Sequence, residues 1–231
     1  MELQQNLSLV CENIQKAAEQ TGRTSKDITL VAVSKTVDVD KIKQAIDLGV
    51  TDLGENRPQE LKRKSEEIAS AVRWHQIGQL QTNKVKYVLG RAVLIHSLDR
   101  IALAEELEKE CVKRDMRAPC LIQINIGREP NKSGIPIETM DDFLDELSAF
   151  AHIEVKGLMT VPPIMEDAKR QREYFRQMYR EFERLKQWEG KNIKMEYLSM
   201  GMSDDYVEAV LEGANMVRVG SAIFGARNYQ I

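Results

Sequence analysis

The fold is decided by the stretch Ile28-Thr29-Leu30-Val31-Ala32-Val33-Ser34-Lys35, in which a short β-branched run (28–34) ends directly in a lysine. Runs of this kind are typical of strands that are buried on both faces of a parallel sheet. A dinucleotide-binding sheet would follow its first strand with a Gly-x-Gly-x-x-Gly loop, and none follows here. Comparable runs recur along the chain. They cover residues 52–56, 74–78, 93–97, 120–126, 155–161, 195–200 and 216–220, and the strand pattern of the first of these is weak.

Amphipathic helical patterns separate these runs. They cover residues 40–48, 58–69, 83–89, 100–114, 137–150, 167–188 and 204–212. Strands that alternate with helices form βα units, and eight units in 231 residues favour a closed barrel over an open Rossmann-like sheet. The sequence therefore predicts an α/β fold: one (β/α)₈ TIM barrel domain spanning residues 1–231.

Two segments flank the predicted barrel. A helical pattern at residues 3–19 predicts an extra N-terminal helix, which we expect to cover the barrel floor. The residues after Gly225 predict a short, loosely ordered tail. Within the barrel, the cluster Lys62-Arg63-Lys64 lies among acidic residues on a predicted helix and is interpreted as a solvated face.

The composition excludes several classes of protein. Hydrophobic residues make up 42% of the chain and charged residues 30%, the balance of a soluble globular protein. The net charge of −3, with both signs mixed, argues against a nucleic acid or an anionic membrane as partner. Three cysteines without CxxC spacing and three scattered histidines predict reduced thiols and no metal site. The N-terminus lacks the features of a secretory signal, so we expect a cytoplasmic protein.

Polar residues concentrate where the predicted strands end, and barrels carry their active sites at those ends. Lys35 follows the first strand, where desolvation favours the neutral amine that forms a Schiff base with an aldehyde. Position alone does not distinguish it from a solvated lysine. The loops after strands seven and eight, Ser199-Met200-Gly201-Met202-Ser203 and Gly220-Ser221, carry hydroxyls, glycines and helix starts. The ordinary occurrence of serine and glycine in turns explains either loop alone. Two such loops facing Lys35, however, favour a phosphate-bearing aldehyde as the ligand.

Seven stretches, in order from the first strand to the last, resemble the pyridoxal-phosphate homeostasis protein family, the single-domain relatives of the alanine racemase barrel. They are VAVSK (31–35), GENRPQE (54–60), HQIGQLQTNK (75–84), KSG (132–134), GLMT (157–160), LSMGMSD (198–204) and VRVGSAIFG (217–225). The resemblance implies a fold-type III barrel of the alanine racemase N-terminal-domain type. It also implies a role in vitamin B6 homeostasis, with pyridoxal 5′-phosphate (PLP) as the cofactor.

The resemblance assigns a role to each site residue. Lys35 carries PLP as a covalent internal aldimine, and Asn56 and His75 lie beside the ring. Arg218 resembles the racemase arginine that approaches the pyridine nitrogen; contact with the phosphate is the alternative, and Ser199 is an alternative partner for the nitrogen. The resemblance assigns phosphate binding to Ser199, Gly201, Ser203, Gly220 and Ser221, and it places Met200 in the same cofactor-binding loop. His96 and His152 are interpreted as structural.

Carrier and enzyme remain distinct possibilities. Racemisation needs groups on both faces of the substrate Cα, and Lys35 is the group that the sequence assigns. The related racemases add a β-rich domain and a tyrosine from their dimer partner, for which this sequence leaves no room; Tyr206 has no predicted place over the cofactor. We therefore expect a monomer without catalytic residues that buffers PLP or delivers it to apo-enzymes. The alternatives are a small fold-type III racemase or lyase, and a cofactor-free scaffold.

Overall fold

The protein is a closed barrel of eight parallel strands that follow one another in sequence order. The computed structural model describes residues 2–69, 71–163, 167–188 and 190–225, so the predicted tail after Gly225 lies outside the described residues. The strands are β1 (Thr29–Val33), β2 (Asp52–Glu55), β3 (Arg73–Gln76), β4 (Ala92–Leu98), β5 (Ala118–Ile124), β6 (Ile153–Thr160), β7 (Ile193–Ser199) and β8 (Met216–Val219). The predicted (β/α)₈ barrel is confirmed, and the weak second run is a real strand.

Helices alternate with the strands as predicted, and most are shorter at one or both ends than their sequence patterns. They are α1 (Glu2–Gln20), α2 (Val39–Asp47), α3 (Pro58–Glu67), α4 (Val85–Val88), α5 (Ile101–Arg114), α6 (Met140–Leu147), α7 (Ala168–Leu185), α8 (Tyr206–Leu211) and α9 (Ser221–Phe224). Single 3₁₀ turns precede α4 and α6, which explains why those two begin late.

The N-terminal helix is present, but the expectation that it covers the barrel floor is wrong. Asn6 Nδ2 of α1 donates to the carbonyl oxygen of Ile223 at 3.2 Å, and Asn13 Nδ2 donates to the hydroxyl oxygen of Tyr206 at 3.0 Å. The helix therefore packs along α8 and α9, on the side of the barrel. Because α9 has four residues, it is too short to serve as the eighth outer helix, and α1 takes that place. The buried stripe that it supplies is Leu3, Leu7, Val10, Ile14, Ala17 and Ala18.

The apolar core has two parts, one between the barrel and its helices and a smaller one inside the barrel. The inner part consists of Val31, Leu94, Leu121, Met159 and Met216. Because successive side chains of a strand point to opposite faces, Val33 and Lys35 share the inward direction of Val31. The first strand therefore delivers Lys35 to the mouth of the barrel rather than to its outer surface.

Candidate functional site

A cavity of about 490 Å³ opens at the carboxyl ends of the strands. Its size lies within the range of roughly 300–1,000 Å³ that small-molecule sites occupy. A larger cleft, of about 750 Å³, lies on the outer surface between Arg23 and Tyr179, and no predicted site residue lines it. The predicted residues that line the cavity at the mouth are Lys35, Asn56, Ser203, Arg218, Gly220 and Ser221.

Lys35 is half-buried in this cavity, and its backbone is fixed on both sides. Lys64 Nζ donates to the carbonyl oxygen of Ser34 at 2.6 Å, and the backbone N–H of Thr36 donates to Glu60 Oε1 at 2.9 Å. Thr36 has a φ of +63°, a left-handed conformation that a β-branched residue adopts only under local constraint. These bonds therefore orient the segment that carries Lys35.

A fully buried ion pair supplies this constraint. Lys64 Nζ lies 2.8 Å from Glu55 Oε1 and 2.7 Å from Glu60 Oε1, and both Lys64 and Glu55 have no exposed side-chain surface. Burial raises the pKa of the Glu55 carboxyl, and the Lys64 ammonium and the Ser34 hydroxyl oppose that shift. The interpretation of Lys64 as part of a solvated face is wrong. Successive helical residues are about 100° apart, so Lys64 faces the barrel while Lys62 and Arg63 remain outside.

Close contact between two strand ends positions Asn56. Gln76 Nε2 donates to the carbonyl oxygens of Asn56, at 2.9 Å, and of Gly78, at 3.1 Å. A Cβ atom at Gly78 would lie 2.5 Å from the Asn56 carbonyl oxygen, so a side chain there would push the two segments apart. Glycine at position 78 is therefore what allows Asn56 to line the cavity.

The loops after β7 and β8 are bonded to each other. Ser203 Oγ accepts from the backbone N–H groups of Gly220, at 3.1 Å, and Ala222, at 3.3 Å. Gly201 turns the first loop with a φ of +93°, and a Cβ atom there would lie 2.6 Å from the Cβ of Ala209. The two loops thus form one wall of the cavity, with hydroxyl and amide groups of the kind that bind phosphate.

Arg218 places a positive charge beside this wall. Its side chain donates to Ser199 Oγ at 2.6 Å and to the carbonyl oxygen of Thr160 at 2.8 Å. Burial lowers the pKa of Arg218 to about 10, against the opposing effect of the Asp205 carboxylate. The guanidinium is therefore still a cation at neutral pH, and it faces the cavity.

Four predicted site residues are absent from the cavity lining: His75, Ser199, Met200 and Gly201. His75 Nε2 lies 2.9 Å from Asp52 Oδ1 at the start of β2, so the ring points toward the barrel floor. Ser199 is fully buried and bonds to Arg218. Met200 packs in the outer core because it follows the inward-facing Ser199 and takes the opposite side of the strand.

The cavity also contains residues that the strand-end reasoning missed, among them Gln123, Lys132 and Ser133. Gln123 Nε2 donates to the carbonyl oxygen of Ser133 at 3.1 Å, and Asn125 Nδ2 donates to that of Lys132 at 3.2 Å. These bonds fold the loop after β5 back over the mouth. The tripeptide Lys132-Ser133-Gly134 belongs to the matching motifs, but it lies beyond the end of β5 (Ala118–Ile124), so its position in the strand pattern does not indicate a place in the site.

Other candidate groups have structural partners. The Tyr206 hydroxyl accepts from Asn13 of α1, so this tyrosine faces the outer helices and does not line the cavity. His152 Nδ1 lies 2.8 Å from Glu108 Oε1. Within residues 2–69, 71–163, 167–188 and 190–225, we find no group of three or more His, Cys, Asp or Glu that could hold a metal ion. No helix in the described part of the chain is long and apolar enough to cross a membrane.

Fold and site together define a class: a (β/α)₈ barrel with a lysine and a buried arginine at a polar mouth. Residues 6–228 match the family model of the alanine racemase N-terminal domain. The pyridoxal phosphate homeostasis protein of Aquifex aeolicus is 42% identical over 226 residues, 97% of this chain and 98% of that protein. The protein of the same name from Pasteurella multocida is 40% identical over 232 residues, 99% of each chain.

A solved structure agrees with these relatives. PipY of Synechococcus elongatus, with PLP bound, has a TM-score of 0.80 and 31% sequence identity to this chain. The match covers 92% of this chain and 100% of that one. The chain belongs to the pyridoxal phosphate homeostasis protein family.

Proposed function

We propose that this protein binds PLP in the cavity at the barrel mouth and acts in PLP homeostasis by holding and releasing the cofactor. The observation that carries the proposal is the placement of Lys35 in one cavity with Ser203, Gly220, Ser221 and Arg218. An amine, a cation and a wall of hydroxyl and amide donors are the groups that an aldehyde with an attached phosphate requires. The names of the relatives and the PLP bound in PipY support the same cofactor.

Each predicted residue that lines the cavity has a part in this proposal. Lys35 would hold the cofactor, because its amine can link reversibly to an aldehyde. Ser203, Gly220 and Ser221 bind the phosphate. Asn56 lies beside the ring, and Arg218 supplies a fixed positive charge. PLP itself supplies a reversible covalent link and an electron-accepting ring.

Reversible holding, without committed catalysis, is the activity that we propose. Tyr206, which follows the strand-seven loop, accepts a hydrogen bond from Asn13 of α1 and does not line the cavity. Under this proposal the protein acts in the cytoplasm as a monomer, and apo forms of PLP-dependent enzymes receive its cofactor.

The test of cofactor binding is an absorption spectrum. Protein loaded with PLP is expected to show an imine band at about 420 nm that Lys35→Ala abolishes. Lys62→Ala is a matched control, because Lys62 lies on the outer face of α3 with 42% of its side chain exposed. A band that survives in Lys35→Ala, or that is absent from the wild-type protein, contradicts the assignment of Lys35.

A second measurement separates carrier from enzyme. Holoprotein mixed with an apo PLP enzyme is expected to restore the activity of that enzyme as its own imine band declines. Steady-state turnover of amino acids that depends on Lys35 would instead show that the protein is a small PLP enzyme.

A further inference from the structure

A chain of hydrogen bonds runs through the interior of the barrel from the mouth to the floor. It begins at Arg218, whose Nη1 lies 2.6 Å from Ser199 Oγ. Ser199 Oγ lies 3.1 Å from His96 Nδ1, and His96 Nε2 lies 3.0 Å from His75 Nδ1. It ends where His75 Nε2 lies 2.9 Å from Asp52 Oδ1. All five residues are buried.

The carboxylate at the floor fixes the direction of the last bond. Burial alone would raise the pKa of the Asp52 carboxyl, but hydrogen bonds from His75, Arg73 and Thr51 outweigh burial and hold that pKa well below its ordinary value. Asp52 is therefore ionised at neutral pH and accepts a hydrogen bond from the Nε2–H group of His75. This bond selects the imidazole form of His75 that carries hydrogen on Nε2.

Burial holds the pKa of the His96 ring well below its ordinary value, so His96 is neutral. Two proton arrangements are then compatible with the bond between His75 and Asp52. If His75 is neutral, its Nδ1 accepts from His96 Nε2–H, and His96 Nδ1 accepts from the Ser199 hydroxyl. If His75 is charged, both bonds reverse, and the Ser199 hydroxyl hydrogen needs another acceptor. Among the described residues Ser199 Oγ has two partners, His96 and the donor Arg218, so the reversed arrangement leaves that hydrogen unpaired. A buried donor without an acceptor is costly, which favours the neutral arrangement.

The mouth end of this chain of hydrogen bonds is the Arg218 guanidinium, which bonds to Ser199. In the described part of the protein, no carboxylate oxygen lies within the 4 Å ion-pair distance of the Arg218 guanidinium. Among the described residues, its hydrogen-bond acceptors are the Ser199 hydroxyl oxygen and the carbonyl oxygen of Thr160. In the neutral arrangement the Ser199 hydroxyl donates its hydrogen to His96 Nδ1 and keeps its oxygen lone pairs for acceptance from Arg218. The proton arrangement of the two histidines thus determines how the Ser199 oxygen is presented to the arginine.

We propose that His75, His96 and Ser199 are positioning residues, ordered by Asp52 at the floor, that hold the Arg218 guanidinium toward the cofactor at the mouth. This inference rests on the proposed function, because it concerns the placement of a charge against bound PLP. It gives His75 a role in the site without contact with the ring.

The proton arrangement is testable in the cofactor-free protein. Long-range ¹H–¹⁵N NMR of histidine-labelled protein at neutral pH is expected to show His75 and His96 as neutral rings protonated on Nε2. A charged His75, or a His96 protonated on Nδ1, would overturn the inference whether or not the protein binds PLP.

The coupling to the cofactor is tested with variants. Ser199→Ala is expected to raise the Kd for PLP about tenfold and to shift the absorption maximum, because a bond to a buried cation is lost. Ser199→Thr keeps the hydroxyl and is expected to retain most of the affinity. Ser97→Ala is the matched control: Ser97 is equally buried, and its Oγ has no hydrogen-bond partner among the described residues.

Asp52, at the floor end of the chain of hydrogen bonds, gives the decisive comparison. Asp52→Asn is expected to raise the Kd about threefold, and the double variant with Ser199→Ala is expected to bind as Ser199→Ala does, because both act along one path. Additive effects, a silent Asp52→Asn, or an equal loss in Ser97→Ala would overturn the positioning role. If wild-type protein binds no PLP, the proposed function fails with it. If wild type binds and the effects are additive, the positioning inference alone fails.

Discussion

Replacing Lys64 with methionine removes a fully buried ammonium group and leaves a buried carboxylate behind. Lys64 makes three short bonds, to Ser34, Glu55 and Glu60, and none of its side chain is exposed. Methionine retains most of the apolar length but none of the donors. Removing one partner of a buried ion pair costs about 3–5 kcal/mol, because the remaining charge is uncompensated. That is a large part of a typical stability of about 5–15 kcal/mol.

The expected loss depends on pH in a defined direction. Burial already raises the pKa of Glu55, and Lys64 opposes that shift, so Lys64→Met raises the pKa in the folded state further. A raised carboxyl pKa contributes stability below the unfolded-state pKa, and that contribution is lost as the pH rises through the folded-state pKa. The variant is therefore expected to lose more stability at about pH 8 than at about pH 5.

Urea unfolding at the two pH values measures this effect. Lys62→Met is the matched control on the same helix, where an exposed lysine lies 4.0 Å from Glu66 and a loss of about 0–1 kcal/mol is expected. The double variant Glu55→Gln/Lys64→Met removes both charges and is expected to recover part of the loss. A loss below about 1 kcal/mol for Lys64→Met, or additive effects in the double variant, would refute the reasoning.

Three further predictions follow from single residues. Asp52 contributes stability above its ordinary pKa that is lost as the pH falls, so urea unfolding of Asp52→Asn should depend less on pH than that of wild type below about pH 4. Gly201→Ala meets a close contact and an unfavourable φ, and should cost about 2–4 kcal/mol by the same assay; Gly22→Ala, with a φ of +70° and open space, should cost about 1–2 kcal/mol. Tyr206→Phe should leave the imine band and PLP affinity unchanged; a loss of either would place the tyrosine in the site.

Much of the fold is predictable from the sequence because the signal is local. The β-branched run that ends in Lys35 and the apolar stripe of α1 each follow from the spacing of residues within one segment. The weak second run is a strand because its neighbours complete its hydrogen bonds, and Leu53 and Gly54 pair with β1 and β3. The position of α1 was not predictable, since it depends on the shortness of α9 at the other end of the chain.

The candidate site also has a part that local sequence predicts and a part that it does not. Six of the ten predicted residues line the cavity, because a residue at the end of a parallel strand necessarily lies at the mouth. His75 and Ser199 differ because a strand residue can direct its side chain down the barrel, toward partners on distant strands. Lys132 lines the cavity because the loop after β5 folds back over the mouth, and no local sequence pattern specifies the path of that loop.

The sequence by itself determined the strand count, the place of Lys35 at the end of the first strand and the polar groups at each strand end. Tertiary structure decided what those groups contact. It buried Lys64 against Glu55 and the carbonyl oxygen of Ser34, next to Lys35 in the chain, and it joined Asp52 to Arg218 through the barrel interior. The physical reason is that backbone periodicity is encoded within a few residues. Hydrogen bonds between side chains depend on distances across the closed barrel, which are set by the packing of all eight strands together.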